Sequence, residues 1–529
     1  MAIGGKIVTA IKAGVTAFRE SYFDANPLDM TEDAEWADFD ARRMRYQLQW
    51  AFFQGNAYRD IHQWAKKMKA DFGLYKYTRD IYNPAFRLGS FYRAYLWGGS
   101  LDMKAGNGQE RPSALPIVME TENAALRAAI AQLWQWSNWK SKRKLVPLHG
   151  ATLGDVFVSV MDDQMRGKVY LEVVHPGIVA EVEKDPFGNI KGYIINYQRE
   201  DPESAGKDAT YQEVVYRGEN DAIVYELTKN GKPYHWGNTD AAGTPIDTWE
   251  VDYGFVPMVH IQHFDVGLEW GMSEMFPKLA AFREVDDLGS KLNDQVRKLV
   301  DSPWLFAGVK DPSSTPQTTR STPTAQRPEI GREEVPALYT NDPAAKAQAL
   351  VAPLDIAAVA EKVKDDLEQL EKDYPELALL RAMNATEDLS GTAIERLQSQ
   401  SSEKVIDYRD SYDDALVRAQ QMAIAIGGYR GYVGFEGFNL ESYAAGQLAH
   451  EIGARDVFSM MPMQKLERDI KRAEAQQKAT SAGWDLVAYL QAQNTDPDVV
   501  ALLTASPGYQ ARLAMMQLGL QTANMGDAG

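Results

Sequence analysis

One stretch constrains this chain more than any other: two amphipathic segments held apart by a long irregular one, between Phe276 and Tyr374. The first segment places Leu279, Phe282, Val285, Leu288, Leu292, Val296 and Leu299 at steps of three and four, a single apolar stripe on a helix. The second repeats the pattern with Ile356, Val359, Val363, Leu367 and Leu370. Pro303 to Pro353 between them is rich in Pro, Ser, Thr and Gln and carries no period. Such a hairpin cannot bury both stripes alone, so the sequence demands a surface to pack against it.

The remainder of the chain supplies helices and strands in blocks. Thr31 to Phe72 reads as helical, with Asp29 or Thr31 as the cap and a break at Gly55-Asn56. Asn83-Pro84 opens an aromatic-rich helix, because proline at the first helical position lacks only an amide that would be unpaired anyway. Gly98-Gly99 is its expected stop, and Ser100 to Leu115 reads as a polar loop. Glu120 to Trp139 is a further helix with Leu126, Ile130, Leu133 and Trp134 on one side; its Trp134, Trp136 and Trp139 read as packing in preference to a binding box. From Asp155 the period changes to alternation. Turn signals at Asp185–Asn189 and Asn230–Pro233 then punctuate an antiparallel β-rich module over Asp155 to Phe264.

After the hairpin, Tyr374-Pro375 ends the second arm, and Ser390-Gly391-Thr392 launches a long helix reaching Ile426. Gly427 to Gly437 interleaves glycine with Tyr429, Arg430, Tyr432 and Phe435. That pattern reads as a packed turn before a nucleic-acid or glycan surface.

Charge narrows the function classes. Lys plus Arg number 56 against 74 Asp plus Glu, a formal net charge of −18, so the chain repels polyanions on average and any nucleic-acid contact must be local. It contains no cysteine, which removes thiolate catalysis and Cys-ligated metals. No apolar run approaches the roughly 18 residues of a membrane span. Catalytic signatures are lacking as well: there is no P-loop, no G-x-S-x-G elbow and no H-E-x-x-H. His260 and His263 are the best metal-like pair, but three apart on a strand they face opposite ways. The pairs Asp286-Asp287, Asp365-Asp366 and Asp413-Asp414 fan out on helices and read as solvated faces.

Three stretches, in order, carry a resemblance: Ile81-Tyr82-Asn83-Pro84 before the Phe91–Trp97 aromatics, the helix–insertion–helix from Phe276 to Tyr374, and Leu389-Ser390-Gly391-Thr392-Ala393-Ile394 opening a long helix. Together they resemble the portal (head-to-tail connector) proteins of tailed double-stranded DNA bacteriophages, of the siphophage-like kind, over about residues 30 to 450. The resemblance implies an α+β portal protomer with a helical stem hairpin, β-rich wing, small clip, long wing helix and helical C-terminal crown. It also implies a homo-oligomeric ring of about twelve subunits.

The implied boundaries are 1–30 for an N-terminal arm and 31–275 for the wing, helical over 31–140 and β-rich over 155–264. Stem helices take 276–302 and 353–374, with the clip at 303–352 between them. A tunnel loop at 375–391, the long wing helix at 392–436 and the crown with a flexible C-terminus at 437–529 complete the chain.

The implied function is the channel at the unique capsid vertex through which double-stranded DNA is packaged and ejected. Implied partners are that DNA, the terminase large subunit, the head–tail adaptor, and the major capsid and scaffolding proteins. No membrane, cofactor, metal or catalytic step is implied. The location is the virion, with host cytoplasm during assembly. Candidate channel-lining residues are Lys362, Lys364 and Lys372 on the second arm and Arg381, Asn384 and Thr386 in the tunnel loop. Arg320, Arg327, Arg332, Glu333 and Glu334 are the candidates for clip docking to motor and adaptor. Two other classes compete: a non-ring minor head or assembly protein, and a metal-dependent nuclease using scattered carboxylates.

Overall fold

The computed structural model describes residues 38–59, 78–97, 119–201, 206–218, 220–235, 243–300, 356–384 and 391–453, three short strands within 304–349, and scattered positions beyond 453. The chain divides into two compact units, Met1–Val457 and Phe458–Gly529, and every element named below belongs to the first.

Helix α1 (Phe39–Gln54) ends at the expected break, where Gly55 at φ 68° donates to the Ala51 and Phe52 carbonyls. Its N-cap position is Asp38, without a side-chain bond; Asp29 and Thr31 lie outside the described residues. Helix α2 (Pro84–Tyr95) starts as Asn83-Pro84 predicts, with the Asn83 side chain accepting the Phe86 amide at 2.9 Å. The expected stop, Gly98-Gly99, lies outside the described residues. After strand β1 (Met119–Glu120) comes α3 (Ala124–Trp136), capped by Asn123 and buried along Leu126, Ile130, Leu133 and Trp134. Helices α4 (Trp139–Lys142) and α5 (Leu145–Leu153) follow. Trp139 is fully buried and Trp136 rests on Phe435 with ring centres 5.5 Å apart, so the tryptophan cluster is packing.

The β-rich module falls where alternation predicts it. Strands β2 (Asp155–Asp163) and β3 (Lys168–Val174) pair antiparallel. A larger antiparallel sheet holds β4 (Val179–Lys184), β5 (Ile190–Glu200), β6 (Asp208–Arg217), β7 (Ile223–Lys229) and β8 (Lys232–Pro233) in that order, with β9 (Thr248–Val251) also on β7. The Asn230-Gly231 turn has φ of 51° and 73°, the pair of positive values a two-residue hairpin of type I′ needs. Strand β10 (Met258–Gln262) returns to pair with β2, making β2 the central strand of three. Val156 to Val160 are therefore buried on both faces, one of which meets the long helix described below.

A 3₁₀ turn at Phe276–Lys278 leads into α6 (Leu279–Val300). The insertion, predicted to be irregular, contains β11 (Trp304–Ala307), β12 (Ala337–Thr340) and β13 (Gln348–Ala349), with β11 in the middle, parallel to β12 and antiparallel to β13. Helix α7 (Ile356–Asp373) returns along α6. Where a loop is predicted over 375–391, the chain instead forms α8 (Pro375–Asn384). Pro375 sits at its first position, Glu376 in its first turn, and Leu377 and Leu379 are buried; those features favour a helix over a free loop.

Helix α9 (Gly391–Tyr429) follows the predicted launch point and runs three residues past Ile426, ending short of residue 436. Short α10 (Leu440–Ala444) packs on α9, and β14 (Glu451–Ile452) pairs with β1, so residues 437–457 sit in the first compact unit. No helix among the described residues is long and apolar enough to cross a membrane.

Candidate functional site

The two arms of the hairpin, α6 and α7, are covered by the rest of the chain to different extents along their length. The base is accounted for. Phe282 and Val285 of α6 and Leu370 of α7 join Phe52, Tyr58, Ala85, Leu88, Met275, Tyr374 and Leu377 in one buried cluster, with Leu279 and Leu367 packed against it. The partner for the lower stripe is therefore the α1–α2 layer of the same chain. The upper stripe differs: Leu288 and Leu292 are half-buried, and Val296 is 40% exposed. Only the outer part of the predicted unpartnered face lacks cover among the described residues.

The base is also fixed by polar side chains that read as solvated in the sequence. Asp286 and Asp287 are 2% and 4% exposed. Asp286 accepts the Ile81 amide at 2.9 Å, the Tyr82 amide at 3.3 Å and the Tyr58 hydroxyl at 3.2 Å. Asp287 accepts the Thr78 hydroxyl at 2.9 Å and pairs with Lys291 at 2.5 Å. Adjacent carboxylates do fan out, as their spacing requires, but each meets a different part of the 78–82 segment or its own helix. Burial pushes the Asp286 carboxyl up to about 6, and burial with the neighbouring Asp286 charge pushes Asp80 up to about 7.

Below the hairpin lies a second buried network that nothing in the sequence singles out. Glu274, just ahead of α6, accepts from Lys404 of α9, from the Tyr408 hydroxyl at 2.9 Å and from His263 Nε2 at 3.4 Å. Lys404 also reaches Glu376 of α8 at 3.1 Å, and Glu376 accepts the Tyr92 hydroxyl of α2 at 2.7 Å. The Tyr374 hydroxyl donates to the Glu274 carbonyl at 2.9 Å. Burial alone would raise the Glu274 carboxyl; the His263 hydrogen bond and the Lys404 charge outweigh it and hold the group at about 2. An ionised Glu274 can only accept, so His263 carries its proton on Nε2, and its Nδ1 accepts from the Tyr412 hydroxyl at 2.8 Å. Tyr412 reaches that position over Gly150, where a Cβ would overlap its hydroxyl. Entry to the hairpin, exit from it and the long helix thus meet at one ion cluster.

His260 belongs elsewhere. Its Nε2 contacts Asp155 at 2.8 Å; Asp155 also accepts the Tyr46 hydroxyl at 2.6 Å and the Gly271 amide at 2.7 Å. Burial would raise Asp155, but the bonds from His260 and Tyr46 lower it, while burial and the Lys184 charge bring His260 down to about 4. The two histidines sit in separate networks, as opposite faces predict. Asp413 departs from the solvated reading: it accepts Trp97 Nε1 at 2.8 Å and forms a two-pronged pair with Arg455. In the aromatic-glycine turn, Arg430 and Tyr432 are committed to Asp162 at 2.9 and 2.6 Å and Phe435 is buried, so the turn packs.

The candidate channel residues are placed as follows. Lys362 pairs with Asp366 and Lys364 with Glu368 at 3.7 Å, each one turn along α7; Lys372 is exposed in the last turn. Arg381 is on α8, not in a loop. It pairs with Glu371 at 2.8 Å and lines a cleft with Phe86, Phe91 and Tyr95 of α2. Asn384 is the last residue of α8, its side chain outside the described set; Thr386 and the clip residues Arg320, Arg327, Arg332, Glu333 and Glu334 lie outside the described residues altogether. Comparison of the chain with protein-family models and with curated proteins gave no match.

Proposed function

We propose that this chain is the subunit of a ring-shaped portal whose helical hairpins line a channel for double-stranded DNA. One observation carries the reading: the hairpin is anchored at its base by a buried core and two polar networks, while its outer stripe, at Val296, is left for a surface outside the described chain. A head-to-tail ring offers that surface, since each subunit covers two different faces of its neighbours. Helices of 22 and 18 residues are rods of about 33 and 27 Å at 1.5 Å per residue, a length suited to a channel wall. The order of the three resembling stretches supports the same reading, and so does the charge. An acidic wall whose lysines are partly matched by carboxylates one turn away holds phosphates weakly and lets DNA slide. In this reading the subunit performs no catalysis. The insertion between the arms docks the packaging motor and later the tail adaptor.

Two-dimensional class averages of the purified protein by electron microscopy test the proposal. Closed rings with a central hole are expected. A monomer or simple dimer at high concentration overturns it.

A further inference from the structure

A second feature runs against the chain's acidic balance. Ser90, Arg93 and Ala94 on one face of α2, with Trp97 just past its end, line a cleft whose opposite wall is Arg143, Lys144 and Pro147, at the corner between α4 and α5; its volume is about 400 Å³. Among the described residues, three cations and one hydroxyl border it and no carboxylate does. In a protein with 18 more acidic than basic residues, that segregation calls for a partner.

Arg143 is the telling member. It is 5% exposed, and Nη1 donates to the Trp97 carbonyl at 2.7 Å, but its buried Nε has no hydrogen-bond partner. The bond to the chain just past α2 explains the first contact and leaves the second atom and the charge unexplained. Arg42 and Arg455 also leave a buried Nε without a hydrogen bond, but each has a carboxylate near its charge, Asp155 acting on Arg42 and Asp413 pairing with Arg455. Arg409 spends its guanidinium on the carbonyls of Leu96, Tyr95 and Arg455, and Arg45 lies 3.9 Å from Asp155. Among the described residues, the charged neighbour acting on Arg143 is another cation, Arg455, which Asp413 already neutralises; burial first, then Arg455, lowers its pKa. A buried cation without an anion is costly. Arg93 and Lys144, which border the same cleft, are exposed cations. Helix α5, nine residues long, begins at this corner with no side-chain cap, so its positive pole adds to the cluster.

We infer that this cleft is a binding site for a phosphate-type oxyanion, gripped by Arg93, Arg143 and Lys144 with Ser90 as an added donor. Donors from two walls suit a tetrahedral, multiply charged group better than a single carboxylate. The volume exceeds one phosphate, so the group enters with water or as part of a larger molecule. Its source is either free phosphate or a nucleic-acid backbone.

Calorimetric titration with inorganic phosphate, at ionic strength held constant with chloride, tests the site on the intact protein. Saturable binding is expected. Arg93→Ala and Lys144→Ala, both exposed positions, should each weaken it about tenfold, the loss of one charge-assisted bond. Arg87→Ala, on the same helix but outside the cleft, should leave it unchanged. Absence of saturable binding by the unaltered protein overturns the inference, and so does binding that Arg93→Ala and Lys144→Ala leave intact. A short fluorescent DNA duplex identifies the source. Displacement by phosphate, together with loss in Arg93→Ala, assigns nucleic acid; indifference to the variants, with phosphate binding retained, assigns the free ion. Ring formation followed in the same samples keeps this site and the portal proposal separable, since either can fail alone.

Discussion

The Asp286 carboxylate, in the basal third of the first arm of the hairpin, accepts the backbone amide of Ile81 at 2.9 Å. This bond ties the arm to the segment Ile81-Tyr82-Asn83-Pro84, which starts α2 about 200 residues earlier in the chain. The same carboxylate takes the Tyr82 amide and the Tyr58 hydroxyl, so one side chain closes three polar groups at the base of the hairpin.

Asp286→Ala therefore removes the acceptor of two half-buried amides and of the Tyr58 hydroxyl. A loss of about 2 to 4 kcal/mol in urea unfolding is expected. Asp286→Asn keeps the shape and an acceptor oxygen and should lose less. Equal stability of all three proteins would show that the carboxylate anchors nothing.

Stability should also depend on pH through this base. Burial raises Asp286 to about 6 and Asp80 to about 7, both above the carboxylate value of the unfolded chain. The folded state then binds more protons than the unfolded one between about pH 4 and 7, so this pair makes stability fall as pH rises through that window. Asp80→Asn should flatten the slope of melting temperature against pH over the same range. A slope unchanged by Asp80→Asn would mean that Asp80 is not a proton binder in the folded protein.

The ion cluster under the hairpin gives the opposite sign. Lys404→Met leaves Glu274 and Glu376, both buried, without their shared cation, and should cost about 3 to 5 kcal/mol. Glu274 is depressed to about 2, so its contribution is present above pH 4.5 and disappears as pH falls from there toward 2. Acid unfolding of Glu274→Gln should lack that part of the transition. If Lys404→Met melts with the unaltered protein, the cluster does not hold the hairpin's two ends together.

Periodicity and turn chemistry made much of this fold legible. The stripe on α6 and α7, the Asn83-Pro84 start, the Asn230-Gly231 hairpin and the launch of α9 near Gly391 are local signals, and the chain obeys them. Asp286, Glu274 and Asp155 were not legible, because a carboxylate on a helix, in a connector or at a strand end looks the same whether it meets water or a partner from a distant segment. Helix α8 departs from the loop expectation for a related reason: its apolar residues Leu377 and Leu379 are buried by α9 and α2, and no local pattern announces that burial. Arg381 consequently lies against α2, where a loop reading would have sent it into a channel. What the sequence withholds is the identity of the partner across each polar contact.

The outer stripe of α6 offers the sharpest separation between folding and assembly. Val296 is 40% exposed, far from the buried cluster around Phe282 and Val285, so a charge placed there meets water in the isolated subunit. Val296→Asp should leave urea unfolding of the subunit within about 0.5 kcal/mol of the unaltered protein, as surface changes away from such features do. In a ring the same aspartate would have to be buried without a cation against the neighbouring hairpin, at several times that penalty in each subunit contact. Mass photometry should then show the large assembly replaced by free subunits. Lys364→Ala, which removes only a long ion pair at 3.7 Å on the facing arm, should leave the assembly in place. Rings that form equally well with Val296→Asp would place the subunit contact on another surface and leave the exposed stripe unexplained by assembly.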